Sequence, residues 1–208
     1  MSKARAEAFS DGVFAVAITV LIFNVTDSIH KQGPGDLLPA LLGGWPAYAA
    51  YVASFLTIGV MWINHHGMFE RLAGIDRPLL FINLLLLMAI VFLPFPTAVL
   101  GANIAVPQDN RAAASFYALN AVVIAIFFSG LWTYALTHPR LLSSHLDPRA
   151  AMRATPRYAI GLVGYVVCIP LGQISPVAVV VVCAALAIYY MFERLPTSSS
   201  KLADDSLR

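Results

Sequence analysis

Apolar residues fall along this chain in long blocks, separated by short clusters of polar ones. The blocks run roughly from Phe9 to Val25, Trp45 to Ile63, Leu79 to Leu100, Ala112 to Leu136, Tyr158 to Leu171 and Val177 to Phe192. A helix that crosses the hydrocarbon core of a bilayer needs about 20 predominantly apolar residues, with a range near 17–25. The first four blocks meet that length or nearly so. The last two are short, and Pro170 and Pro176 bracket a turn at Gly172-Gln173-Ile174-Ser175. Taken together from Pro156 to Phe192, they are nearly long enough for two crossings with a very tight turn. The pattern predicts an all-α integral membrane protein with six transmembrane helices. Pro94 and Pro96 are expected to kink or end the third helix. Residues 1–194 form one six-helix transmembrane domain in this reading, and 195–208 a polar cytoplasmic tail, Ser-rich and disordered.

Composition agrees with the pattern. Of the 208 residues, 59% are hydrophobic and only 12% charged, and the mean hydropathy is +0.76. Soluble chains carry about 25% charged residues, and a globule of this length has too much surface to hide so much apolar material. A soluble enzyme, a disordered chain and a nucleic-acid binder are therefore disfavoured. The first block follows Lys3 and Arg5, as a signal peptide would, but Asp11 lies inside it and no small-x-small cleavage site follows Val25. Cys168 and Cys183 both sit in apolar blocks, which argues against a disulfide framework.

The positions of the charges set an orientation. With six spans and the N-terminus in the cytoplasm, the inner segments hold Lys3, Arg5, Arg71, Arg77, Arg140, Arg149, Arg153, Arg157, Arg194, Lys201 and Arg208. The outer loops hold only Lys31 and Arg111. Both termini are expected on the cytoplasmic side.

Polar residues inside a bilayer are expensive unless paired or wet, so they mark function or anchoring. The first helix opens Arg5-Ala6-Glu7-Ala8-Phe9-Ser10-Asp11. Ser10 and Asp11 read either as helix N-caps or, with Arg5, as part of a polar network near the inner surface. Val16, Val20 and Phe23 fall at i, i+4 and i+7 with Thr19 beside them, one face of a helix. That face suits packing in a monomer, or the lining of a central path in a symmetric oligomer, where apolar rings gate by dewetting. Periodicity does not choose between the two. His65 and His66 are adjacent and point to different sides of a helix, without a companion cysteine or paired carboxylate, so no metal site is expected. Capping or hydrogen bonding to Arg5 and Asp11 suits them better, with Asn83 as a further partner. Asn120 and Gln173 read as structural hydrogen bonders. Aromatic residues such as Trp45, Tyr48, Trp132 and Tyr189 gather near span ends as an interfacial belt. There is no nucleotide loop, zinc-protease motif or nucleophile with a base, so no enzyme is expected. The Thr-Val-Gly-Tyr-Gly filter of familiar potassium channels is also missing.

The start Arg5-x-x-x-Phe9-Ser10-Asp11, running on through Gly12-Val13-Phe14-Ala15-Val16-Ala17-Ile18-Thr19, resembles the signature of the transmembrane protein 175 family in its prokaryotic, single-repeat form. The resemblance extends to Trp62, His65, His66 and Phe69, to Asp76-Arg77, to Asn83 and to Leu93-Pro94-Phe95-Pro96-Thr97. It implies a potassium-permeable channel of the prokaryotic cytoplasmic membrane, built as a homotetramer whose first helices line the pore, with membrane lipids around it. Monovalent cations would be its permeant partners, with K+ ions in the pore; no cofactor, metal or nucleic acid is implied. Carried over by position, the pore constrictions would be Val16, Val20 and Phe23, with Thr19 as the polar pore-lining residue between them. Arg5, Phe9, Ser10, Asp11, Trp62, His65 and Asn83 would form the network that holds the first helix. Relatives usually carry Ile or Leu at the first two constrictions, so Val16 and Val20 imply wider rings, and Phe23 implies a narrower third one. Asn24 stands where an acidic residue is common. The competing readings are a secondary transporter with a site inside each subunit, a non-conducting membrane scaffold, and a lipid-modifying enzyme using His65 and His66.

Overall fold

The computed structural model describes residues 2–30, 37–144 and 148–192, and side chains over 2–26, 37–144 and 160–192. The described residues form eight α-helices: α1 Lys3–His30, α2 Leu37–Gly43, α3 Trp45–Glu70, α4 Arg77–Phe92, α5 Pro94–Asn103, α6 Asn110–Thr137, α7 Pro148–Ile174 and α8 Pro176–Phe192. A 3-10 turn at Pro139–Leu141 joins α6 to the segment before α7.

Local chemistry sets several boundaries. Pro46 sits in the first turn of α3 and Pro78 in that of α4, where the missing N–H costs no helical bond. Asp76 caps α4 from an extended backbone and accepts from the Leu79 amide at 3.0 Å. Ser175 plays the same part for α8, accepting from the Ala178 amide at 3.3 Å. Pro94 and Pro96 cannot donate to the carbonyls of Ile90 and Phe92. Ile90 O instead accepts from the Leu93 amide at 3.1 Å, a tightened turn that divides one long apolar segment into α4 and α5.

The expectation of six transmembrane helices is corrected. Among the described residues four segments are long and apolar enough to cross a membrane: Lys3–Thr26, Trp45–Glu70, Arg77–Asn103 and Asn110–Thr137. The third of these is α4 and α5 together. The last two apolar helices, Ile160–Ile174 and Pro176–Phe192, fall short. At 1.5 Å per residue they rise about 22 and about 25 Å, against a hydrocarbon core of about 30 Å. Arg149, Arg153 and Arg157 keep the first half of α7 from being continuously apolar, and Pro176 separates the apolar runs of α7 and α8. The expected sidedness of Arg194, Lys201 and Arg208 rested on six crossings, and these residues, with the expected tail 195–208, lie outside the described part.

The bundle is held by one hydrophobic core that includes Phe14, Leu21, Ile58, Met68, Leu86, Leu93 and Tyr117, all almost fully buried. Helix α6 makes its most extensive contact with α7, and α1 packs on α3, α4 and α5. Small residues permit the close approaches, as is usual between membrane helices. A Cβ on Gly101 would lie 3.1 Å from the Ala47 Cα, and one on Gly164 would lie 2.8 Å from Leu186 Cδ1. At the end of the bundle where α1 begins, the α3–α4 and α6–α7 connections are zipped by Ala73 N–H to Leu141 O and Ser143 N–H to Arg71 O, both 2.8 Å. Lys3 Nζ donates to Leu72 O in the same bracket at 2.7 Å.

Candidate functional site

Helix α1 has two unlike faces. One side, made by Ala6, Ser10, Phe14, Ala17 and Leu21, is buried against the bundle. Ser10 and Asp11 are not N-caps, because the helix begins at Lys3, two turns earlier. The Ser10 hydroxyl donates back to Ala6 O at 2.9 Å and accepts from Asn83 Nδ2 at 3.0 Å. With its nitrogen turned to Ser10, Asn83 presents Oδ1 to His65 Nε2 at 2.8 Å, so the histidine donates from Nε2. The ring stacks on Phe69 with centroids 4.3 Å apart and tilts against Phe14 at 5.3 Å, and its Nδ1 has no hydrogen-bond partner. Ser10, Asn83 and His65 are all buried, and they join α1, α4 and α3 through one chain of hydrogen bonds.

Nearer the surface, Asp11 Oδ1 accepts from Trp62 Nε1 at 2.8 Å, a second tie between α1 and α3. His66 turns away from His65 and lies between Glu7 of α1, at 3.2 Å, and Glu70 of its own helix, at 3.5 Å. The neighbouring histidines therefore do different things, and His66 pairs with Glu7 instead of the expected Arg5 or Asp11. Phe9 is half exposed and outside the chain of hydrogen bonds. Arg5 is exposed and makes no hydrogen bond or ion pair among the described residues. Six residues from Asp11, it lies about 120° away around the helix, so the two cannot meet along one face. Among the described residues no group of three His, Cys, Asp or Glu side chains could hold a metal ion.

The other face of α1 is uncovered. Val16 is 56% exposed, Val20 39% and Phe23 62%. Thr19 is exposed between them and turns its hydroxyl hydrogen back to its own helix, at 2.9 Å from Val16 O and 3.0 Å from Ala15 O. A threonine bonded in this way leaves its oxygen lone pairs outward. Only 22% of the apolar part of α1 is buried, against 50%, 44% and 56% in the other three long spans.

The remaining polar ties lie away from that face. At the far end of α1, Asn24 Nδ2 donates to Pro94 O at 2.8 Å, joining the helix to the start of α5. In the core, Thr97 donates to Leu93 O at 2.8 Å and thus accepts from Ser54 at 2.8 Å, and Ser54 in turn accepts from Tyr117 at 3.0 Å. Ser115 links Gln173 Nε2, at 2.6 Å, to Ile169 O. At the α1 entry end, Asp76 also accepts from Tyr134 Oη at 3.0 Å and faces Arg140 Nη2 at 3.1 Å. Partial desolvation pushes the Asp76 pKa up, but the Leu79 amide, Tyr134 and Arg140 together outweigh it and hold the carboxyl below its ordinary value.

Sequence reasoning missed Glu7, the Ser54–Thr97–Tyr117 chain and the Asn24–Pro94 link. Ser54 and Thr97 stand out only as lone hydroxyls in apolar runs, and partners 43 and 63 residues away leave no spacing to read.

Long apolar helices around a first helix that is pinned by polar side chains on one face and bare on the other describe a multi-pass membrane protein. The comparisons with known proteins are specific. Residues 5–94 match the family model described as the endosomal/lysosomal potassium channel TMEM175. A potassium channel of Streptomyces collinus is 41% identical over 97% of this chain and 98% of its own length. One of Chamaesiphon minutus is 44% identical over 89% and 92%. The human endosomal/lysosomal proton channel TMEM175 is 31% identical, over 66% of this chain but 29% of its own length. A crystal structure of a TMEM175 homologue from Chamaesiphon minutus, described as a lysosomal potassium-selective channel homologue, superposes with a TM-score of 0.78 at 40% identity. It covers 91% of this chain and 96% of the other. The chain belongs to the TMEM175 family, a family of ion channels.

Proposed function

We propose that this chain is a potassium-permeable channel in which four copies set α1 around a central axis. The single observation that carries the reading is the bare apolar face of α1, on a helix whose opposite face is anchored by Ser10, Asp11 and Asn24. Fourfold symmetry turns each exposed residue into a ring. Val16, Val20 and Phe23 form three apolar constrictions, with a layer of Thr19 oxygens between the first two. Passage is limited by the cost of stripping water from the ion at each ring, and displacement of α1 widens or closes them. The membrane potential drives flux with about 2.3 kcal/mol per charge per 100 mV. The relatives named as potassium channels support the choice of ion.

A transporter built on a broken helix unwinds the backbone where it binds substrate. At Leu93, between α4 and α5, the backbone stays helical at φ −56° and ψ −36°, which favours the channel. The test is potassium flux into liposomes holding the purified protein or its Val16 and Val20 variants, combined with amine crosslinking of the protein by glutaraldehyde. Tetramer-sized crosslinked species and a flux that changes with the residue at these positions are expected. A monomer or dimer whose flux ignores the α1 face would overturn the proposal.

A further inference from the structure

Between α4 and α6 lies a groove of about 310 Å³, with Met88 and Phe92 on one wall and Phe116, Val123 and Phe127 on the other. Its floor is made by Ala89, whose small side chain leaves the space open, and by Asn120. Asn120 is 7% exposed, its Nδ2 has no hydrogen-bond partner, and its amide makes no hydrogen bond among the described residues. An unsatisfied amide costs about 1–3 kcal/mol by mutational measure, and inside a bilayer water is not at hand to repay it.

Depth limits what can repay it. Asn120 lies ten residues from the start of α6, about 15 Å along the axis, and Ala89 twelve residues from the start of α4, about 18 Å. Both are near the middle of their spans. Phospholipid ester and headgroup oxygens lie at the edges of a hydrocarbon core about 30 Å thick, so an ordinary bilayer lipid offers this groove only its acyl chains. The partner for the amide has to be soluble in the membrane interior and carry its own oxygen. Rotation about χ2, a broad torsion for asparagine, presents the amide nitrogen to such a group.

The geometry points to a binding site in the α4/α6 groove for an apolar, membrane-soluble molecule bearing one hydrogen-bond acceptor oxygen, an alcohol or a ketone, with Asn120 as its donor. The aromatic walls take the apolar body and the amide selects for the oxygen. The site needs only a membrane-inserted fold, so it stands or falls apart from the channel reading.

The test uses the full chain in liposomes and two photoreactive probes of equal length, a diazirine-bearing octanol and the matching diazirine-bearing octane. Labelled residues are mapped by mass spectrometry after irradiation. Octanol labelling at Phe116, Asn120 and Val123 is expected to exceed octane labelling roughly fivefold, the ratio that one net hydrogen bond supports. Excess unlabelled octanol should compete it away. Asn120→Leu should bring the two probes level while octane labelling stays as it was. Ala89→Leu, which fills the floor and leaves Asn120 in the sequence, should suppress both. Equal labelling of the unaltered protein by the two probes, an acyl-chain groove only, would overturn the proposal. So would a hydroxyl preference that survives Asn120→Leu, or labelling unchanged by Ala89→Leu.

Discussion

Asn24 Nδ2 of α1 donates to the carbonyl oxygen of Pro94 across 2.8 Å, tying the far end of the first helix to the residue at which α4 gives way to α5. Asn24 follows Phe23 directly, so the link sets where that phenylalanine stands. Interhelical hydrogen bonds in membranes average about 0.6 kcal/mol, with a maximum near 1.7. Asn24→Leu is expected to cost that much in thermal stability and to change potassium flux in liposomes, while Asn24→Leu in a non-conducting scaffold would change stability alone.

The Ser10–Asn83–His65 chain predicts a larger effect. Asn83→Leu removes the acceptor of the buried His65 Nε2–H and the donor to Ser10 together. A buried donor left unsatisfied costs about 1–3 kcal/mol. Asn83→Leu should therefore lower the unfolding midpoint in detergent more than Asn24→Leu does. His65→Phe, which needs no acceptor and keeps the stack on Phe69, should be milder than Asn83→Leu.

On the proposed channel reading, Phe23 makes the narrowest ring. Phe23→Ala should raise potassium flux several-fold, and Phe23→Trp should lower it. Thr19→Val keeps the shape and removes the oxygen layer, so it should lower potassium flux relative to the unaltered protein. Flux measured at one fixed gradient, with the protein amount per liposome matched, reads all three.

Asp76 gives a pH prediction whose sign follows from its lowered pKa. The group binds its proton less readily folded than unfolded, so it adds stability above the unfolded carboxylate value near 3.9. That stability is lost as pH falls through the lower, folded value. Asp76→Asn still caps α4 but loses the charge partner of Arg140. It should melt earlier than the unaltered protein at neutral pH, and the gap should close on acidification below about pH 4.

Much of this arrangement could be read from residue order, and the reasons differ by element. The apolar runs around Val16, Ile58, Leu86 and Ile124 are long enough that their helices follow from length alone. The Pro94 and Pro96 break followed from two missing N–H groups. The i, i+4, i+7 spacing picked out Val16, Val20 and Phe23, and these stand on one exposed face. The last two apolar runs suggest crossings only when their lengths are joined across the turn before Pro176, and taken singly the helices Ile160–Ile174 and Pro176–Phe192 fall short. Partnerships were least legible. Arg5 seemed a natural companion for Asp11, yet the carboxylate faces Trp62 instead. His66 meets Glu7 because two helices cross there, and no local spacing encodes a crossing.

Among the described residues, no side chain of α1 between Asp11 and Asn24 hydrogen-bonds to another helix, while Ser10 and Asp11 at one end and Asn24 at the other are tied down. The stretch between these ties, about 20 Å long, is held by apolar packing alone, through Phe14, Ala17 and Leu21. Hydrogen bonds at the two ends fix the position of the helix along its axis, because each needs one donor and one acceptor in register. Apolar contact between them is non-directional. Val16, Thr19 and Val20 therefore take their axial position from the two ends and their lateral position from the small and apolar side chains behind them.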